Sequence, residues 1–108
     1  MSRMETPPTD AALATLAPLI TPQERAMLER LPLLSNQERA VFVLIGQGLR
    51  TKEAAFELAI SVKTAETHLA RLRAKLDDGQ GSLDLPELTF LARLWVRATA
   101  EAKGIGAI

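Results

Sequence analysis

The sequence has no cysteine and few aromatic residues. Without cysteine, the chain forms neither disulfides nor thiolate metal sites, and it has no cysteine nucleophile. Its single histidine, His68, cannot build a histidine-rich metal site. Aromatic residues make up 4% of the chain, with one tryptophan and no tyrosine, which is too few for a platform that stacks unpaired bases. We therefore expect no metal and no other cofactor.

Long hydrophobic runs and targeting signals are also missing. No apolar run approaches the roughly 18 residues of a membrane helix, and no basic N-terminal start leads into an apolar core. We expect a cytoplasmic protein with no membrane partner. The 108 residues, 47% hydrophobic and 24% charged, have the size and composition of one globular domain.

The net charge is zero, but the charge is unevenly distributed. Residues 50–76 hold six basic residues against three acidic ones, a net charge of +3, and the rest of the chain carries −3. Such a concentration is typical of a DNA-binding face, although a solvated helix surface produces the same pattern.

Helical spacing and helix-start residues recur along the chain, and no segment alternates with period two, so an all-α fold is predicted. Thr21 with Glu24 and Ser35 with Glu38 have the spacing of capping boxes. The predicted order is a flexible N-terminus (1–9), an N-terminal helical extension (10–33), a helix-turn-helix unit (34–76), an acidic loop (77–85) and a long C-terminal helix (86–103).

The centre of the chain has the pattern of a helix-turn-helix. Thr51 can cap a short helix over about 52–58, and after a tight connection Ser61 can cap a second helix over 62–76. A row of apolar residues in the second helix follows steps of 3 and 4 and predicts a core-facing stripe. Its members are Val62, Ala65, Leu69, Leu72 and Leu76.

Residues 34–76 resemble the LuxR/FixJ-type (GerE-like) helix-turn-helix family. The resemblance rests on Leu34-Ser35 with Glu38, on Thr51-Lys52-Glu53, on Ile60-Ser61-x-Lys63-Thr64, and on His68-Leu69 with Lys75-Leu76. It implies a compact tetra-helical domain that inserts the helix 62–76 into the major groove of double-stranded DNA.

Several positions depart from that family. Arg50 stands where Ser or Thr is usual, Ala65 replaces Val, and Ala59 stands where Gly is common. Glu66 brings a carboxylate to the expected base-reading face, where it repels phosphates but can accept a hydrogen bond from cytosine. The acidic loop after Leu76 is longer than the family's turn.

The resemblance implies a set of DNA contacts. Expected phosphate contacts are Lys52, Lys63, Thr64, Arg71 and Lys75, and expected base contacts are Glu66, Thr67 and Ala70. His68 is expected to pack as a half-buried helix residue, with a phosphate or backbone hydrogen bond as the alternative.

The C-terminal helix contains a second apolar row with heptad-like spacing. Phe90 and Leu94 add a further row, so one row can cover the core while the other needs a partner. We expect a homodimer, with the N-terminal helices of the same chain as the alternative cover. The expected dimerisation residues are Leu88, Leu91, Trp95 and Ala98.

The sequence thus predicts a sequence-specific transcription regulator without enzymatic activity, binding duplex DNA and, as a further partner, RNA polymerase. Two alternatives stay open: a sigma-factor-like promoter-recognition domain, and a helical adaptor that binds a protein. No carboxylate pair, nucleophile–base pair or glycine-rich phosphate loop stands at a spacing useful for catalysis.

Overall fold

The computed structural model describes residues 7–77 and 83–102. Within these ranges the chain forms six α-helices and no strand, which confirms the predicted all-α class. None of these helices is long and apolar enough to span a membrane. The helices are α1 (Pro7–Leu16), α2 (Pro22–Leu28), α3 (Asn36–Gly46), α4 (Thr51–Leu58), α5 (Val62–Leu76) and α6 (Leu85–Ala102).

The helix starts use the capping residues that the sequence predicts, with one shift. Both expected capping boxes form: the Glu24 backbone N–H donates to the Thr21 hydroxyl, and the Glu38 N–H donates to Ser35. Ser61 caps α5 in the same manner. At α4, however, the N-cap is Arg50 and not the expected Thr51, because the side chain of Glu53 accepts a hydrogen bond from the Arg50 N–H.

The N-terminal part of the chain is helical further upstream than expected. α1 begins at Pro7, so residues 7–9 lie in a helix instead of the predicted flexible N-terminus, while residues 1–6 lie outside the described ranges. A single 3₁₀ turn over Ala17–Leu19 follows and contains Pro18. Proline lacks the N–H that would continue the α-helical ladder, which explains the break.

α3 occupies the centre of the fold. It packs against α5 on one side and against α6 on the other, while α1 covers α6 and α4 packs on α5. Three of its apolar side chains, Val41, Phe42 and Ile45, are buried. The core is therefore continuous from α1 to α5, with α3 as the shared element.

α3 and α6 come unusually close at Gly46, the last residue of α3. A Cβ atom added there would contact the Ala92 carbonyl oxygen and would lie 2.7 Å from Val96 Cγ2. The absence of a side chain at Gly46 therefore sets the distance between these two helices.

The apolar row of α6 lies inside the monomer. Leu88 and Leu91 are fully buried, and Trp95 and Ala98 are 5% and 3% exposed. α1 and α3 cover this face of α6, so the expected dimerisation residues are already packed within one chain. The structure therefore agrees with the alternative: an N-terminal helix of the same chain, α1, covers the apolar row of α6.

The connection between α4 and α5 requires an unusual backbone conformation. Ala59 ends α4 in the left-handed region, with φ 57° and ψ 41°. Glycine adopts this conformation without a steric penalty, whereas alanine does so at a cost of roughly 1 kcal/mol. The turn therefore keeps its shape even though glycine, common at this position in the resembled family, is absent.

Candidate nucleic-acid interface

α5 is held against the core by one side, and this orients its other side outward. Ala65, Leu69, Leu72 and Leu76 are buried against α3 and α4. Val62, the first residue of the predicted stripe, is 40% exposed because it starts the helix next to the exposed Ser61. The packed row thus begins at Ala65, one helical turn later than expected.

The outward side of α5 carries most of the residues expected to contact DNA. All of them are exposed, and they follow one another at helical spacing, so they form a single surface. We call this surface the reading face, and it consists of Lys63, Thr64, Glu66, Thr67, Ala70 and Arg71.

The two threonines of the reading face are held in place by hydrogen bonds to the N-cap residue of α5 and within α5. The Thr64 hydroxyl accepts from the Ser61 hydroxyl at 2.9 Å, and the Thr67 hydroxyl donates to the Lys63 carbonyl at 3.1 Å. The methyl group and the acceptor lone pairs of Thr67 stay available to a ligand. Such fixed side chains lose little rotamer entropy on binding.

Lys52 extends the positive charge from α5 onto α4. It is exposed in the first turn of α4, as expected for a phosphate contact, and Arg50 at the N-cap is exposed as well. In a helix-turn-helix the first helix crosses the DNA backbone, where cations at its start can meet phosphates.

Lys75, an expected phosphate contact, forms an ion pair within the fold. Its Nζ lies 2.7 Å from Oε1 of Glu38, whose side chain is 4% exposed, so the lysine joins α5 to α3. Burial raises the pKa of Glu38, but the hydrogen bonds from Lys75 and Ser35 outweigh it and leave the pKa below its ordinary value. The pair stabilises the contact between the two helices.

Two further arginines hold the ends of the loop that follows α5. Arg73 donates from its NH2 group to the Leu83 carbonyl at 3.1 Å, and Arg30 donates to the Asp77 carbonyl at 2.7 Å. Residues 78–82 of the predicted acidic loop lie outside the described ranges. Arg73 and Lys75 therefore have partners within the fold, and Arg50, Lys52, Lys63 and Arg71 supply the exposed positive charge of residues 50–76.

His68 lies at the edge of the reading face and is half-buried, as expected for a packing residue. Its Nδ1 is buried and has no hydrogen-bond partner among the described residues. The imidazole ring is therefore oriented with Nδ1 toward the protein interior.

One segment of the chain matches a known protein family. Residues 24–76 match the family described as Sigma-70, region 4, which covers a little under half of the chain. The match identifies this segment as a helix-turn-helix of the DNA-binding class and does not support the more specific LuxR/FixJ assignment. Neither the curated proteins nor the solved structures contain a match to the chain.

The matched segment also extends beyond the unit that the sequence predicts. It starts at Glu24 and so includes most of α2, which the sequence analysis assigned to the N-terminal extension 10–33. The capping box of Thr21 and Glu24 predicts the start of α2 correctly. A capping box does not indicate, however, to which domain the helix belongs.

Proposed function

We propose that the chain binds promoter DNA in the manner of a sigma-70 region 4 domain, by placing the reading face of α5 in the major groove. The observation that carries this proposal is the exposure of the whole reading face on a helix anchored by a buried row. The family match over 24–76 supports the same function. Binding, not catalysis, is the proposed activity.

The basic residues and the central residues of the reading face have different proposed tasks. Lys63 and Arg71 lie two turns apart and would fix α5 on the phosphates. Between them, Glu66 can accept a hydrogen bond from the cytosine amino group, and Ala70 can contact a thymine methyl group. We propose that the preferred site contains cytosine and thymine at neighbouring positions.

The proposed DNA complex contains one copy of the chain at each site. The α6 row that suggested a homodimer is buried by α1 and α3, so a second copy would need another surface. Light scattering of the DNA complex would decide between one copy and the homodimer expected from the sequence. We also keep RNA polymerase as a proposed partner, because a sigma-like domain acts together with that enzyme.

The decisive experiment is selection of bound duplexes from a random pool, followed by fluorescence anisotropy on a selected site. We expect the affinity to fall steeply with salt because counterions are released from the phosphates. The double variant Lys63→Glu with Arg71→Glu should lose about two orders of magnitude in affinity.

The chain offers a control matched in charge. Arg93 and Arg97 are also exposed, lie four residues apart on α6 and are outside the reading face. The variant Arg93→Glu with Arg97→Glu makes the same change in net charge and should keep most of the affinity. If both double variants lose affinity equally, or if no duplex is selected, the proposal fails.

A further inference from the structure

A small cavity lies where the start of α6 meets α2. It has a volume of about 300 Å³. Its walls are Thr21, Gln23, Glu24 and Met27 on the side of α2 and Glu87 on the side of α6. α2 belongs largely to the segment matched to sigma-70 region 4, whereas α6 follows that segment. The cavity is therefore a junction between the matched segment and the C-terminal helix.

Two carboxyl groups line this cavity, and both are partly removed from water. Glu24 and Glu87 are half-buried, and Met27 between them is 3% exposed. The capping box fixes the Glu24 side chain, because its Oε1 accepts a hydrogen bond from the Thr21 N–H at 2.9 Å. Two carboxylates at such a site repel each other, and their reduced contact with water weakens the screening of that repulsion.

No described cation compensates this pair. The described walls of the cavity contain no basic side chain, and neither carboxylate forms an ion pair with a described residue. Arg25, the neighbour of Glu24 in sequence, instead binds Glu29 at 3.1 Å. No described residue of α1 or α3, the other helices packed on α6, reaches the cavity.

The charged groups that the structure places around Glu87 are all acidic. They are Glu24 from α2 and Asp84 at the start of α6, whose Oδ1 accepts a hydrogen bond from the Glu87 N–H at 2.9 Å. Burial raises the pKa of Glu87, and the charges of Glu24 and Asp84 and a hydrogen bond with the Glu24 side chain raise it further. Two carboxyl groups form such a bond only if one is protonated, because an ionised carboxylate has no donor.

We infer that Glu24 and Glu87 form a proton-dependent contact between α2 and α6. When the two side chains share one proton, they form a hydrogen bond that holds the start of α6 on α2. When both are ionised, they repel each other and weaken this junction. The contact thus responds to pH in the opposite direction to the ion pair of Lys75 and Glu38, which acid removes.

The substitution Glu87→Gln tests the sign of this effect, because glutamine is neutral and can form hydrogen bonds at every pH. A raised pKa contributes stability below the ordinary carboxyl range, and this contribution is lost as the pH rises through the raised pKa. Relative to the natural chain, Glu87→Gln should therefore raise the thermal unfolding midpoint by about 3 °C near pH 8. The gain should shrink toward zero by about pH 4, as Glu87 itself becomes neutral.

The chain offers a control in a second helix start. An ionised glutamate in the first turn ordinarily stabilises a helix through the helix dipole, so its neutralisation lowers the midpoint or leaves it unchanged. Glu53 has this position in α4, where it accepts a hydrogen bond from the Arg50 N–H. Glu53→Gln should therefore give no gain near pH 8, in contrast to Glu87→Gln.

Two further measurements show that the effect belongs to the pair. The double variant Glu24→Gln with Glu87→Gln should gain no more than Glu87→Gln alone, since one substitution already removes the repulsion. Carbon-13 NMR of the side-chain carboxyl groups should show that Glu24→Gln moves the titration of Glu87 toward the ordinary carboxyl range.

Several results would overturn the inference. A lower midpoint in Glu87→Gln near pH 8, an equal gain in Glu53→Gln, or a Glu87 titration that ignores Glu24→Gln would each do so. If millimolar calcium chloride raised the midpoint of the natural chain but not that of Glu87→Gln, the cavity would be a cation site instead. All of these experiments use the chain without DNA, so their failure would leave the proposed promoter binding intact.

Discussion

α5 and α6 have similar sequence patterns but different surroundings. Each carries apolar residues in steps of 3 and 4, and each buries that row: Leu69, Leu72 and Leu76 in α5, Leu91 and Trp95 in α6. α5 packs on α3 and α4 and presents its other side as the reading face. α6 packs on α3 and on α1, which lies upstream of the segment matched to sigma-70 region 4.

The difference shows what an apolar period does and does not determine. The apolar spacing predicts that one side of a helix is buried, but it does not predict which other element covers that side. In α6 the row was equally compatible with a second copy and with the chain's own N-terminal helix. The fold uses the N-terminal helix, which makes α1 a structural part of the DNA-binding unit.

The comparison is tested most strongly by removing the contact between α1 and the core. Leu16 of α1 is 2% exposed, so Leu16→Ala should cost about 3 kcal/mol of unfolding free energy, since it removes buried methyl groups and leaves a cavity. Urea unfolding followed by the fluorescence of Trp95 measures this cost. A similar loss is expected for Leu72→Ala in α5.

The control uses the same substitution three residues away. Leu19 is 67% exposed, and Leu19→Ala should change the unfolding free energy by less than about 0.5 kcal/mol. If Leu16→Ala were as mild as this control, α1 would be peripheral and α6 would need another cover. In that case the apolar row of α6 would again be a candidate surface for the expected homodimer.

A smaller but still large effect is expected where α3 meets α6. Gly46→Ala should destabilise the chain by about 2 kcal/mol, because the new methyl group contacts the Ala92 carbonyl and Val96. This loss exceeds the helix propensity of about 1 kcal/mol that alanine gains over glycine. Thermal unfolding monitored by circular dichroism gives the difference.

Gly48→Ala is the matched control for this substitution. A Cβ atom at Gly48 meets nothing within 4 Å, but the residue has a φ of 100°. Its substitution should cost about 1 kcal/mol through backbone strain alone. A larger loss at Gly48 than at Gly46 would contradict the close approach of α3 and α6.

Local chemistry predicted much of this fold. Capping residues and apolar steps placed the helices to within a few residues, and the exposed residues of α5 from Lys63 to Arg71 followed from the same periodicity. The start of α1 was missed because Pro7 and Pro8 suggested an irregular segment, although proline is well tolerated in the first turn of a helix.

Contacts between distant residues were beyond such patterns. Lys75 and Glu38 are 37 positions apart, and nothing in the local sequence distinguishes Lys75 from a lysine that faces DNA. Similarly, nothing in the local sequence distinguishes Arg73 from the exposed Arg71, but Arg73 donates a hydrogen bond to the Leu83 carbonyl. Charge counts therefore overstate the positive charge available to DNA, because they include residues engaged inside the fold.

The contact between α3 and α5 provides the smallest of the expected effects. Lys75→Met should cost about 1.5 kcal/mol, because it leaves the carboxylate of Glu38 with the Ser35 N–H but without its cation. Arg25→Met, which removes the cation of the half-exposed Arg25–Glu29 pair, should cost no more than about 0.5 kcal/mol.

The pH dependence distinguishes this ion pair from simple packing. Because the pKa of Glu38 is lowered in the folded chain, the stabilisation is present above the ordinary carboxyl range and is lost as the pH falls through the lowered pKa. Urea unfolding at a series of pH values should show this loss in the natural chain and a weaker one in Lys75→Met. Equal slopes in both proteins would mean that Lys75 does not stabilise the Glu38 carboxylate and is free to contact phosphate, which would return it to the DNA-binding surface.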